Sequence, residues 1–192
     1  GFGFRPSGTL GNTPATQGLS QYWIDSAATV DLFNGMAMKS TGGYMITGES
    51  ADTVTTIGVL YGIYYNAAST NKPTWAHWYD ATITPANSED TQAFVNDYPF
   101  QKYTIASDTA VAANVPAAHV KFMETFSVNA NTGGSTSTGR STTSLEIATT
   151  HATTHSWRLL RSAEETENSD LTAAYCSLEV VQNLSEFVGT GT

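Results

Sequence analysis

Between Thr55 and Tyr65 the apolar side chains recur at every second position, with Ile57, Val59, Tyr61, Ile63 and Tyr65 on one side and Gly58, Leu60, Gly62 and Tyr64 on the other. A period of two belongs to a strand, whose successive side chains leave opposite faces of the pleat. Gly58 and Gly62 within it predict a bulge or a close backbone approach. They do not read as a phosphate loop, because neither a helix start nor a Lys follows them. Only 13% of the residues are charged, too few to solvate the outer faces of long helices. The polar residues are mostly Thr, Ser and Asn; β-branched Thr favours pleated surfaces, and Ser and Asn favour turns. The expectation is an all-β fold, a single β-barrel or β-sandwich, and a length of 192 residues suits one such domain.

Shorter strands are predicted at residues 36–39 and 44–47, a hairpin turning through Ser40-Thr41-Gly42-Gly43. Further strands are expected at 93–95, 102–105, 120–123, 144–147, 157–160 and 174–181. Residues 110–118 suggest a turn of helix limited by Pro116, and residues 129–143, whose only charge is Arg140, read as a surface loop. The opening residues 1–21 hold Gly1, Gly3, Pro6, Gly8, Gly11, Pro14 and Gly18, too many breakers for a regular element. They are expected to form an extended N-terminal arm, with 22–192 as the β domain, so that removing residues 1–10 would leave the domain folded.

The charge pattern disfavours several functions. A net charge of -9, with only 8 Lys and Arg that do not cluster, is unsuited to a phosphate backbone, so no direct nucleic-acid contact is expected. No stretch approaches the length of a membrane span and no signal segment opens the chain, although its start at Gly1 implies that a short piece precedes it. A single cysteine excludes an intrachain disulfide framework and multi-cysteine zinc sites. Strand alternation places Cys176 beside Leu178 and Val180, as a buried thiol.

Catalytic groups are not evident. His151 and His155 are spaced like a zincin pair, but the Glu that such chemistry needs after the first His is absent. His77 and His119 have no neighbouring residue that would orient them as bases. The carboxylates Glu89-Asp90 and Glu164-Glu165 with Glu167 lie among Asn, Ser and Thr, as in solvated loops. The chain is therefore read as a non-enzyme with no catalytic residue, cofactor or metal.

Two stretches stand out as contact surface. Phe2, Phe4, Arg5 and Pro6 place apolar anchors and a guanidinium fork on the arm. Trp75, Trp78 and Tyr79 concentrate aromatic area after Lys72-Pro73. Aromatic residues dominate cores and interfaces alike, and they also stack on sugars, so core, subunit interface and glycan platform all remain open here.

Several segments together resemble virion proteins of tailed double-stranded DNA phages, of the marine podovirus and siphovirus type. They are the opening Gly-Phe-Gly-Phe-Arg-Pro, residues 56–65, Lys72-Pro73-Thr74-Trp75 with Trp78-Tyr79, and Val95-Asn96-Asp97-Tyr98-Pro99 before Tyr103. The hairpin with Gly-Gly at its tip, the Ala-Asp segment and the Ile-Gly-Val-Leu strand are also similar to the lambda type of head decoration protein. The resemblance implies a capsid decoration, or cement, protein that binds the outer surface of the phage head and stabilises the shell. The major capsid protein and copies of the chain itself, as a homotrimer, are its implied partners, and the virion surface is its implied location. The alternative is a carbohydrate-binding or fibre-associated virion module.

Overall fold

The computed structural model describes residues 1–11, 18–48, 54–129, 133–148 and 155–190. The chain is all-β, and its strands pair antiparallel. The first half holds β1 (Arg5–Thr9), β2 (Ser20–Ile24), β3 (Ala37–Thr41), β4 (Tyr44–Thr47), β5 (Gly58–Ala67) and β6 (Lys72–Ala76). Next come β7 (Thr91–Asn96), β8 (Gln101–Ala106) and a short helix, α1 (Val115–His119). The two-residue strands β9 (Thr125–Phe126), β10 (Val128–Asn129), β11 (Gly134–Ser135), β12 (Arg140–Ser141) and β13 (Ser144–Leu145) follow. The chain ends with β14 (Trp157–Ser162), β15 (Ser177–Gln182), β16 (Leu184–Ser185) and β17 (Gly189–Thr190).

Two larger sheets organise the molecule. A five-stranded sheet runs β1-β8-β15-β14-β9, and a six-stranded sheet runs β2-β7-β5-β3-β4 with β6 added to β5. In the first, Tyr103 and Ile105 of β8, Leu178 and Val180 of β15, and Trp157 and Leu159 of β14 alternate into one core. At its centre Trp157, Tyr103 and Phe4 form an aromatic triad. The Phe4 and Trp157 centroids lie 4.1 Å apart, and Tyr103 meets both rings edge-on. Phe4 is therefore a core residue, and β1 is an edge strand hydrogen-bonded to β8. The opening segment thus packs on its own domain, with Arg5–Thr9 added to the sheet and Phe4 in the core. The glycines and Pro6 that read as breakers are accommodated in an edge strand with an irregular register between Pro6 and Gly8.

The six-stranded sheet curls so that β4 comes against β2, enclosing a second core of Ile24, Met36, Met38, Met45, Leu60 and Ile63. The hairpin of β3 and β4 forms as expected, with Thr41 opposite Tyr44. The anticipated irregularity in β5 is a bulge: the register with β7 shifts between Leu60 and Gly62, leaving Tyr61 as the extra residue. This breaks the strict alternation read from the sequence. Leu60 and Ile63, three apart, now share the inner face, while Val59 turns to the other core.

Other strand expectations shift. Residues 120–123 are not a strand; they follow α1, leaving Val120 and Met123 exposed. Asn114 caps that helix by accepting from the Ala117 amide at 3.0 Å, and Pro116 falls in the first turn, where no backbone donor is lost. His119 ends the helix rather than opening a strand. Cys176 is buried as expected; burial raises its thiol above the ordinary range, opposed by a contact to the Ser107 hydroxyl at 3.3 Å.

Candidate interaction surface

Strand pairing defines the outer face of the six-stranded sheet. Trp23 lies opposite Gln92, Gln92 opposite Tyr64, and Tyr64 opposite Trp75, so these four share one face in a row across β2, β7, β5 and β6. Phe94 and Gly62 form the adjoining pair, and Val59 and Asn96 the next but one along β5 and β7. At Val59 and Ala37 this face is covered, because both side chains belong to the core of the five-stranded sheet. Beyond Tyr61 the cover ends. Trp75 remains 45% exposed and Tyr61 41% exposed. The Trp75 ring packs 5.0 Å from Phe94 and 6.4 Å from Tyr61. A Cβ on Gly62 would sit 2.6 Å from the Trp75 ring, so the missing side chain lets the indole lie flat on the strand.

A cleft of about 380 Å³ opens where the cover stops. Phe4, Arg5 and Pro6 of the opening segment line one wall, and Tyr61, His77 and Arg140 line the other. Arg140 is brought there by its hairpin. Phe33 and Trp78 stack with parallel rings 5.1 Å apart, and the loop from Gly133 to Arg140 folds against them. A Cβ on Gly134 would fall 2.2 Å from Phe33, and one on Gly139, whose φ is +67°, would fall 2.7 Å from Trp78. These two glycines let β11 and β12 press on the aromatic stack. Backbone bonds then lock the hairpin: Asn34 donates to Gly139 and Ser141 to Asn34. The Asn34 side chain reaches the bulge by donating to the Tyr61 carbonyl.

The two arginines have no carboxylate partner among the described residues. The Arg5 guanidinium lies 3.9 Å from the centroid of the Phe2 ring, a cation–π pair that holds the fork at the surface. Asn96 also lines the cleft, and its buried side-chain nitrogen makes no hydrogen bond. In a chain of net charge -9, this is a local concentration of donors and cations beside exposed aromatic rings.

No family model, curated protein or solved structure matches the chain.

The geometry sorts the seven contact residues expected from sequence. Arg5 and Pro6 are exposed on the cleft wall, Trp75 is exposed beside it, and Phe2 is half-buried under Arg5. Phe4 and Tyr79 are corrected to core positions, at 2% and 1% exposure. Trp78 gives one ring face to Phe33. Trp75, Trp78 and Tyr79 therefore do not form a common stacking platform, because the chain leaves strand pairing after Ala76 and the next two aromatic rings turn inward. What unites the opening segment with Trp75 is Tyr61, which lines the cleft and packs against the indole. Tyr61 reads as one more alternating strand residue, and Arg140 as the lone charge of a loop; only the Gly134 and Gly139 spacing hinted that this loop lies close to something bulky.

The histidines stand apart. His77 lines the cleft, His119 packs on Phe122 at 5.3 Å, and His155 is buried at the entrance to β14; His151 lies outside the described residues. Among the described residues no three His, Cys, Asp or Glu side chains converge as a metal site requires.

Proposed function

We propose that the chain is a capsid decoration protein, attached to the outer surface of a double-stranded DNA phage head and acting by binding rather than by catalysis. The observation that carries this reading is the surface joining the Arg5–Arg140 cleft to the exposed Tyr61 and Trp75 rings, with the half-buried Phe94 beneath Trp75. Arginine and large aromatic residues are the side chains that carry interface energy, and a contiguous uncovered apolar patch on a soluble domain marks a contact site. The acidic balance supports an exterior position, since a lining for packaged DNA would be basic. Likeness to phage virion proteins supplies the head as the surface, the major capsid protein as the partner, and self-association into a trimer as the mode of attachment.

The test is co-sedimentation of the purified protein with expanded heads assembled from the major capsid protein of the same phage. Saturable binding is expected, and the double variant Trp75→Ala, Arg140→Glu should lose at least about tenfold in affinity while keeping its fold. Absence of binding by the wild type would overturn the reading.

A further inference from the structure

A second cleft, of about 510 Å³, lies at one end of the six-stranded sheet, where the β3–β4 turn, the end of β5 and the start of β7 converge. It falls within the size range of small-ligand sites. Trp23, Tyr44 and Tyr64 contribute aromatic surface; Trp23 is 44% exposed at the outer strand β2. Gly42 and Gly43 at the hairpin tip leave one rim low. The polar lining is Asn66, Glu89, Asp90 and Gln92.

These groups divide into fixed and free. Asp90 is held: it accepts from the Tyr44 hydroxyl at 3.1 Å and from the Ser26 amide at 3.0 Å. That pairing positions the Tyr44 ring and, with the nearby charge, raises its phenol above the ordinary range. No hydrogen bond among the described residues engages the side chains of Asn66, Glu89 or Gln92. Free amides donate and accept, and the free carboxylate accepts, within reach of flat aromatic surface. A pyranose ring has the matching chemistry: hydroxyls that both donate and accept around its edge, and an axial C–H face that packs on indole or phenol. A compact cation would use the rings and Glu89 but leave both amides without partners.

We infer that this cleft is a binding site for a neutral saccharide, with Trp23 and Tyr64 as the stacking surface and Asn66, Glu89 and Gln92 as the hydroxyl-reading groups. Its lining shares no residue with the Arg5–Arg140 cleft, and Tyr64 lies opposite Trp75, so saccharide binding is tested on the free chain, whether or not that chain attaches to a capsid.

The experiment is calorimetric titration of the full chain with neutral glucan, xylan, mannan and chitin hexasaccharides, and with tetramethylammonium chloride as the cation probe. Saturable binding of at least one saccharide is expected. Trp23→Ala and Tyr64→Ala should each weaken it by about tenfold or more, while Tyr98→Ala, an exposed aromatic away from the cleft, should leave it unchanged. In the wild type, the side-chain amide resonances of Asn66 and Gln92 should shift on addition of that saccharide, which locates the site even if a variant fails to fold. The inference is overturned if no saccharide binds, if both aromatic variants bind as the wild type does, if the shifted resonances lie elsewhere, or if tetramethylammonium binds more tightly than every saccharide.

Discussion

The two sheets finish their second faces differently. On the five-stranded sheet, that face carries Lys102, Glu179 and Arg161 on three neighbouring strands. Glu179 meets Lys102 at 3.2 Å and Arg161 at 2.8 Å, with Ser7 of β1 donating to the same carboxylate. The Lys102 and Glu179 side chains are each only 9% exposed, so these charges answer one another. On the six-stranded sheet, the face is covered as far as Val59 and then left open, with Trp75 and Tyr61 uncovered and Arg5 and Arg140 at its edge. A charge neutralised within the fold serves the fold. Cations and rings left unanswered on one surface are what a partner can use, and this contrast is the physical basis for placing the contact surface there.

The comparison yields predictions of decreasing size. Removing residues 1–10 takes away β1 and the Phe4 ring, and Phe4→Ala alone should cost about 3–5 kcal/mol in denaturant unfolding, as for other buried aromatic deletions. An arm that merely decorates the domain would show no such loss. Glu179→Ala removes the buried carboxylate that Lys102 and Arg161 share and should cost about 3 kcal/mol, with attachment to heads unchanged once the protein is folded.

Acid should act through the same group. Burial raises the Glu179 carboxyl, but the hydrogen bonds and charges of Arg161 and Lys102 outweigh it and hold the group below its ordinary value of 4.5. Its stabilising contribution is therefore complete above about pH 4.5 and is lost as the pH falls through the lowered folded value. Thermal unfolding of the wild type should lose stability in that window, and Glu179→Gln should flatten that part of the profile. The smallest effect on the fold belongs to the open face: Trp75→Ala should change stability by no more than about 1 kcal/mol, measured in urea, while weakening attachment.

Much of this was legible in the chain. The existence of a long strand within 55–65, the Gly-Gly hairpin and the Cys176-Leu178-Val180 alternation fold as they read, because local pattern and tertiary environment agree there, while the bulge at Tyr61 breaks the two-residue period of that strand. The strand at 120–123 misled because these residues follow an Asn-capped helical turn, which leaves Val120 and Met123 in solvent and packs Phe122 on the core, a context that composition does not encode. The candidate site was half legible. Arg5, Pro6 and Trp75 stood out as residue types suited to contact, but their meeting depends on the Tyr61 bulge and on the docking of Gly134 and Gly139 against Phe33 and Trp78. These are packing events between segments distant in sequence, and no periodicity announces them. The Trp23–Tyr64 cleft was missed for the same reason: the order of strand pairing sets Trp23, Gln92 and Tyr64 side by side, and only the folded sheet brings the β3–β4 turn to them.

Hydroxyl-radical footprinting of the protein free and bound to phage heads tests the central claim most directly. Attachment through the open face should slow oxidation of Tyr61 and Trp75 several-fold, while Tyr175 and Phe187, exposed elsewhere, react at their free rates. Tyr61 and Trp75 oxidised as fast on the head as in solution would contradict it.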